Sequence, residues 1–190
     1  MKNTQWKLKD AILLALIGII FSVVYFLMDP LYQIISGVLT TVGLQNLAND
    51  IVLGIWMMAG PLAAYVLKKP ATALIDEMIG AAGEMFLGGF YGVGTLVSGL
   101  VQGLGSELGF TFTGYKNYKT GLWLSTLTGT IVTFAWSLIA EGYASYHFAL
   151  LIVLFIVRYL SIFFFGGVLV FAIERLLDRS KFLSSKDEEE

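Results

Sequence analysis

Residues 70–109 constrain this chain more than any other stretch. They hold two apolar runs, P-A-T-A-L-I-D-E-M-I-G-A-A-G-E-M-F-L-G-G and G-V-G-T-L-V-S-G-L-V-Q-G-L-G-S-E-L-G, joined around Phe90-Tyr91. Each run has the length and apolarity of a membrane span, yet Asp76, Glu77, Glu84, Gln102 and Glu107 stand inside them. A carboxylate near a bilayer centre costs about 2.5–3.5 kcal/mol on insertion scales. Such groups persist where they face protein, water or a ligand. The pair therefore reads as the wall of a binding cavity inside a membrane protein.

Composition agrees with that reading. Of 190 residues, 57% are hydrophobic and 14% charged, whereas a soluble domain carries about a quarter charged. Residues 1–190 read as a single all-α transmembrane domain with no room for a second. A net charge of −2 points to no nucleic-acid partner, and much of the acidity is Asp187, Glu188, Glu189 and Glu190 in a solvated tail over 180–190. With no cysteine, disulfides, zinc–thiolate sites and thiol nucleophiles are excluded. His147 has no histidine or cysteine partner, so neither a metal nor another cofactor is expected. The apolar run behind the N-terminal lysines is long and lacks an A-x-A-like cleavage site, so it reads as a retained first span.

Six spans are expected, over roughly 9–28, 49–67, 71–87, 93–112, 121–140 and 148–177. Asp29-Pro30 is expected to end the first. Residues 31–48 are mixed apolar and polar and read as a lid-like outer segment. Lysine and arginine placement sets the orientation. Lys2, Lys7, Lys9, Lys68, Lys69, Lys116, Lys119, Arg175, Arg179, Lys181 and Lys186 all fall on one side if both termini are inside. The outer loops then carry Asp29, Asp50, Glu141 and His147. Such a multi-pass protein belongs in the plasma membrane.

Glu77 and Glu84 lie seven residues apart, nearly two helical turns, and share a face with Gly80 and Gly88. Thr95, Gly99, Gln102 and Ser106 form a stripe on the next span, with Glu107 about 140° round from Gln102. Gly99-x-x-x-Gly103 and Gly105-x-x-x-Gly109 permit close helix approach, and packing alone accounts for them. Trp136 and Trp56 sit at cavity depth, where an indole either packs or stacks on a ligand ring. Arg158 is the one cation away from the basic side. Its expected role is a structural ion pair with Glu77 or Glu107, the other reading being direct ligand contact. Carboxylates, an amide and indoles together suit a small, flat, amine-bearing and cationic heterocycle. On the first span, Ala11-x-x-x-Ala15 followed by Gly18 offers a face that another helix can approach closely.

These features resemble the substrate-binding S components of energy-coupling factor (ECF) transporters, and more narrowly the YkoE type linked to thiamine and its hydroxymethylpyrimidine precursor. The resemblance rests on Gly54-Ile55-Trp56, on Lys69-Pro70-Ala71-Thr72-Ala73-Leu74 with Glu77 and Glu84 behind it, and on Val101-Gln102-Gly103-Leu104-Gly105 ending at Glu107. Asp76 departs from the pattern. The resemblance implies a six-helix bundle and vitamin contact at or near Trp56, Glu77, Glu84 and Gln102. It also implies docking of a transmembrane coupling subunit on Ala11 and Ala15, with two ATPase subunits completing the machine. The chain has no G-x-x-x-x-G-K-[ST] of its own. The expected function is capture of the vitamin from outside for ATP-driven uptake by those partners. A stand-alone proton-coupled carrier using Glu77, Glu84 and Glu107 is the alternative. A membrane enzyme would need a nucleophile with its base, and no such constellation is present.

Overall fold

Four stretches of the computed structural model, which describes residues 6–179, are long and apolar enough to cross a membrane: Leu8–Thr40, Asn46–Leu67, Tyr118–Ala140 and Phe148–Arg179. No strand occurs among the described residues. In chain order the helices are α1 (Leu8–Thr40), α2 (Asn46–Trp56), α3 (Ala59–Leu67), α4 (Thr72–Phe86), α5 (Gly94–Phe112), α6 (Tyr118–Ala140), α7 (Phe148–Ile162) and α8 (Val170–Arg179). A 3-10 turn at Tyr143–Ser145 precedes α7, and a π-helical stretch, Phe163–Leu169, joins α7 to α8. Lys2, Lys181, Lys186 and the tail expected over 180–190 lie outside the described residues.

Two prolines act differently from one another. Asp29-Pro30 does not end the first helix: α1 continues to Thr40 with Pro30 inside it. Pro30 sits on the exposed side, so its ring costs a backbone hydrogen bond without stopping the helix. The segment expected as a lid, 31–48, is thus the last turns of α1, a turn over 41–45 and the start of α2. Pro61, by contrast, coincides with a break. A proline has no N–H to donate and crowds the carbonyl four residues back, here Met57, whose backbone leaves the helix at φ −116°, ψ 22°. The expected second span is therefore two helices, α2 and α3.

Glycines on α5 set the packing of the centre. Gly99 and Gly103 face α4, where an added Cβ would meet Ala81 Cβ at 2.5 Å and Leu74 Cα at 3.0 Å. Gly105 and Gly109 face α6, where Cβ atoms would collide with the backbone at Gly129 and Ser125. The two G-x-x-x-G pairs thus seat α5 against opposite neighbours. Gly18 lies against Ile79 and Asp76 of α4, so it serves internal packing, while Ala15 is half-buried and Ala11 exposed.

Contacts place the connections at two ends. Lys69 pairs with Asp10 at 3.6 Å, and Lys119 and Arg175 both stand over the Phe171 ring. These residues define a basic end. At the other end the 41–45, 87–93 and 141–147 connections gather, tied by Asn46 Nδ2 donating to Tyr146 Oη at 2.8 Å. The main core, including Met57, Ala59, Phe110, Leu122 and Ile162, lies below that second end.

Candidate functional site

A cavity of about 570 Å³ opens among the helices toward the end opposite the lysines. Every long element except α3 and α8 contributes to its wall: Tyr25 and Tyr32 from α1, Asn46, Asn49 and Trp56 from α2, Glu84 from α4, Gln102 from α5, Trp136 from α6 and Arg158 from α7. Four of the six expected substrate-binding residues, Glu84, Gln102, Trp136 and Trp56, therefore meet at one hollow. Glu77 and Glu107 do not.

Both of those carboxylates close helix N-termini. Glu107 reaches from α5 to the start of α4 and accepts from the backbone N–H of Ala71 at 2.8 Å, Ala73 at 2.9 Å and Leu74 at 3.3 Å. It also accepts from Tyr115 Oη at 2.7 Å. Ala71 holds a left-handed φ of 65°, costly for a side chain with a Cβ, and the carboxylate fastens it there. Glu77 accepts from Gly60 N–H at 2.8 Å and from Tyr25 Oη at 2.8 Å, while Tyr25 Oη accepts from Ala59 N–H at 3.0 Å. The first free amides of α3 are thereby satisfied. A helix N-terminus carries unpaired donors and the positive end of the macrodipole, so an anion is stabilised at it. Acids that look like ligand contacts in the sequence thus act as caps delivered from a neighbouring helix, and their partners lie too far away in the chain for spacing to reveal.

Arg158 likewise has a different partner from those expected. Its Nε donates to Asp50 Oδ1 at 2.6 Å, and both side chains are fully buried. Asp50 lies inside α2 and not in an outer loop. Tyr143 Oη donates to Asp50 Oδ2 at 3.0 Å. Burial and the Asp50 carboxylate hold the Tyr143 phenol well above its ordinary pKa, so it remains a donor.

Of the acids lining the cavity, Glu84 is the one without a hydrogen-bond donor among the described residues. Its side chain is buried, it lines the cavity, and no hydrogen bond from another described residue reaches its carboxylate. Gly89 of the 87–93 loop folds over it; an added Cβ there would stand 2.8 Å from Glu84 Cγ. Around the same region Tyr32, Trp56 and Tyr91 form a ring cluster, with centroid separations of 5.5 Å for Tyr32–Trp56, 5.8 Å for Tyr32–Tyr91 and 6.2 Å for Trp56–Tyr91. Asp29 Oδ2 accepts from Phe90 N–H at 2.7 Å and pins that loop to α1. Tyr25 and Tyr91, which the sequence marks only as outer-interface aromatics, also line the cavity, and Tyr32, Asn46, Asn49, Thr133 and Ser137 line it without being singled out by the sequence. The signals that mark some of them are polar pairs at helical spacing, Asn46 with Asn49 and Thr133 with Ser137. No cluster able to hold a metal ion occurs among the described residues.

Acidic and aromatic groups at one wall and neutral polar groups with a neutralised guanidinium at another suit a bound organic cation or amine. They offer no nucleophile–base pair. Residues 9–135 match the family described as ABC-type cobalt transport system, permease component. The putative HMP/thiamine permease protein YkoE of Bacillus subtilis (strain 168) is 32% identical over 166 residues, which is 87% of this chain and 81% of that protein. A crystal structure of an S-component of an ECF transporter superposes with a TM-score of 0.87 at 31% identity, covering 95% of this chain and 90% of that one.

Proposed function

The chain belongs to the ABC-type cobalt transport permease family and is an S component of the ECF type, a multi-pass cell-membrane transport protein and not an enzyme. From that premise we propose that it captures thiamine or its hydroxymethylpyrimidine precursor from outside the cell. The observation that carries this reading is Glu84, a buried carboxylate facing a cavity and left without a hydrogen bond from the described residues. A carboxylate in that position accepts from an exocyclic amine and offsets a ring cation. The Tyr32, Trp56 and Tyr91 rings supply stacking and cation–π faces beside it. A volume of about 570 Å³ lies within the range of small-molecule sites.

Capture in this reading begins with both termini on the cytoplasmic side and the cavity facing out. The outer turns of α1 with Tyr32, together with the 87–93 loop, close over the ligand. A transmembrane coupling subunit docks along α1 at Ala11 and Ala15, and two ATPase subunits drive release. Release requires the docked state to bind ligand more weakly than the free one.

The rival proton-coupled carrier loses two of its three acids, since Glu77 and Glu107 are occupied as caps. It retains Glu84 and gains Asp76, whose two buried carboxylate oxygens have no hydrogen-bond partner among the described residues. Two measurements separate the readings. Mass spectrometry of the detergent-purified chain is expected to find a thiamine-like or pyrimidine ligand, and titration is expected to show tight binding of one of them. Liposomes holding this chain alone are expected to show binding without concentrative uptake. Uptake that collapses with the proton gradient would establish the carrier instead, and no binding of either compound would remove the vitamin assignment.

A further inference from the structure

Arg158 is held more completely than an ion pair requires, and one part of it is left over. Its Nε is engaged by Asp50, and its Nη2 approaches Tyr143 Oη at 3.4 Å. The guanidinium carbon lies 5.2 Å from the Phe134 ring centroid and 5.4 Å from that of Tyr143. Nη1 alone has no hydrogen-bond partner among the described residues, although the side chain is fully buried. A buried, unpaired N–H of a charged group is costly, and such groups are ordinarily satisfied by protein, water or ligand. Arg158 lines the same cavity as Glu84, from α7 while Glu84 stands on α4.

From this geometry we infer that Arg158 is a specificity-determining donor, whose Nη1 receives a neutral hydrogen-bond acceptor of the ligand, an alcohol oxygen. The inference rests on the vitamin-capture reading and adds a second polarity to it. Glu84 takes the amine or cationic part, and Arg158 takes an oxygen on another part of the same molecule.

Charge decides between the two common sources of such an oxygen, a free alcohol and its phosphate ester. Asp50 sits 2.6 Å from Arg158 Nε, so the pair is neutral as a unit. The remaining ionisable carboxylates on the wall are Glu84 and Glu141. The cavity therefore holds no uncompensated positive charge to offset a phosphate, whereas an alcohol meets a charge-assisted donor at no electrostatic penalty. A site built to hydrogen-bond a hydroxyl discriminates strongly against the analogue lacking it, because the donor is then buried unpaired.

The test compares thiamine, the analogue with an ethyl group in place of its hydroxyethyl group, and thiamine monophosphate. Each is titrated against the full-length chain and against Arg158→Lys, which keeps a cation for Asp50 but removes the planar fork. The natural chain is expected to bind the ethyl analogue about tenfold to a hundredfold more weakly than thiamine. The monophosphate is expected to bind at least about tenfold more weakly. In Arg158→Lys, thiamine and the ethyl analogue are expected to bind within about twofold of each other. Equal affinity of the natural chain for thiamine and the ethyl analogue overturns the inference while leaving vitamin capture standing. So does discrimination that survives in Arg158→Lys.

Should Arg158→Lys fail to fold, Thr95→Val, Ser98→Ala, Thr133→Val, Ser137→Ala, Tyr32→Phe and Tyr91→Phe decide the matter, since they remove the wall hydroxyls other than Tyr25 and Tyr143, which already donate to Glu77 and Asp50. Discrimination kept in all six supports Arg158, and discrimination lost in any one overturns it. Tighter binding of the monophosphate than of thiamine would overturn the alcohol assignment. Absence of binding by all three ligands and by hydroxymethylpyrimidine would remove the capture reading itself, and this inference with it.

Discussion

Glu77 and Glu84 occupy the same face of α4, and the protein uses them in opposite ways. Glu77 is fully buried and saturated, accepting from Gly60 N–H and Tyr25 Oη. Glu84, seven residues further along, accepts from no described residue and borders the cavity. Glu107 near the basic end belongs with Glu77, since it fastens the start of α4. The difference teaches that an acid in an apolar helix is explained by what donates to it. Where backbone amides of a broken or starting helix lie within reach, the acid is part of the scaffold. Where none does and the acid borders a cavity, as at Glu84, a ligand can supply the donor; Asp76, equally without a donor among the described residues, does not line that cavity.

Substitution separates the two kinds of acid. The largest effect is expected for Glu107→Ala, which strands the amides of Ala71, Ala73 and Leu74 and should cost about 3–5 kcal/mol of stability. Thermal unfolding in detergent would show the loss, while ligand affinity of the folded fraction should stay close to that of the natural chain. A variant of unchanged stability but lost binding would erase the contrast. Next comes Glu84→Gln, expected to weaken thiamine or pyrimidine binding by about 1.5–3 kcal/mol, the scale of a charged hydrogen bond. Its melting temperature should not fall. Unchanged affinity in the folded variant would place Glu84 with the structural acids.

Asp29→Asn sharpens the same comparison at the cavity mouth. Its amide oxygen still accepts from Phe90 N–H, so the loss should be about 0.5–1.5 kcal/mol, read as faster ligand dissociation. The smallest effect is expected for Ala71→Gly. Glycine relieves the left-handed strain but adds unfolded-state entropy, so stability should move by less than about 1 kcal/mol. Unchanged binding in that variant is the expected control.

Much of this architecture could be read from residue order, because membrane helices are announced by composition. The glycine pairs of α5 were legible as close contacts, and they proved to serve two different neighbours, α4 and α6. The cavity was legible through Glu84, Gln102, Trp56 and Trp136, whose depths follow from helical rise alone. What escaped depends on pairing across the fold. Asp50 looked like a loop acid because helix α2 begins earlier than its apolar run, at Asn46. Its contact with Arg158 spans 108 positions, beyond any local pattern. Glu77 and Glu107 were read as ligand contacts because amides freed at Ala59, Gly60 and Ala71 cannot be foreseen without the helix breaks. Pro61 was the available sign of the first break. Pro30 gave the opposite signal, since an exposed proline in a long helix does not end it.

The interruption between α2 and α3 also has a mechanical side. Ala59 and Gly60 give their amides to Tyr25 and Glu77, and Pro61 has none to give. Three consecutive rungs that would tie the upper rod to the lower one are therefore missing. The two halves meet as a joint whose pin is a tyrosine hydroxyl. A tilt of the upper half, with Trp56 and Asp50 aboard, need not drag the lower half from its seat.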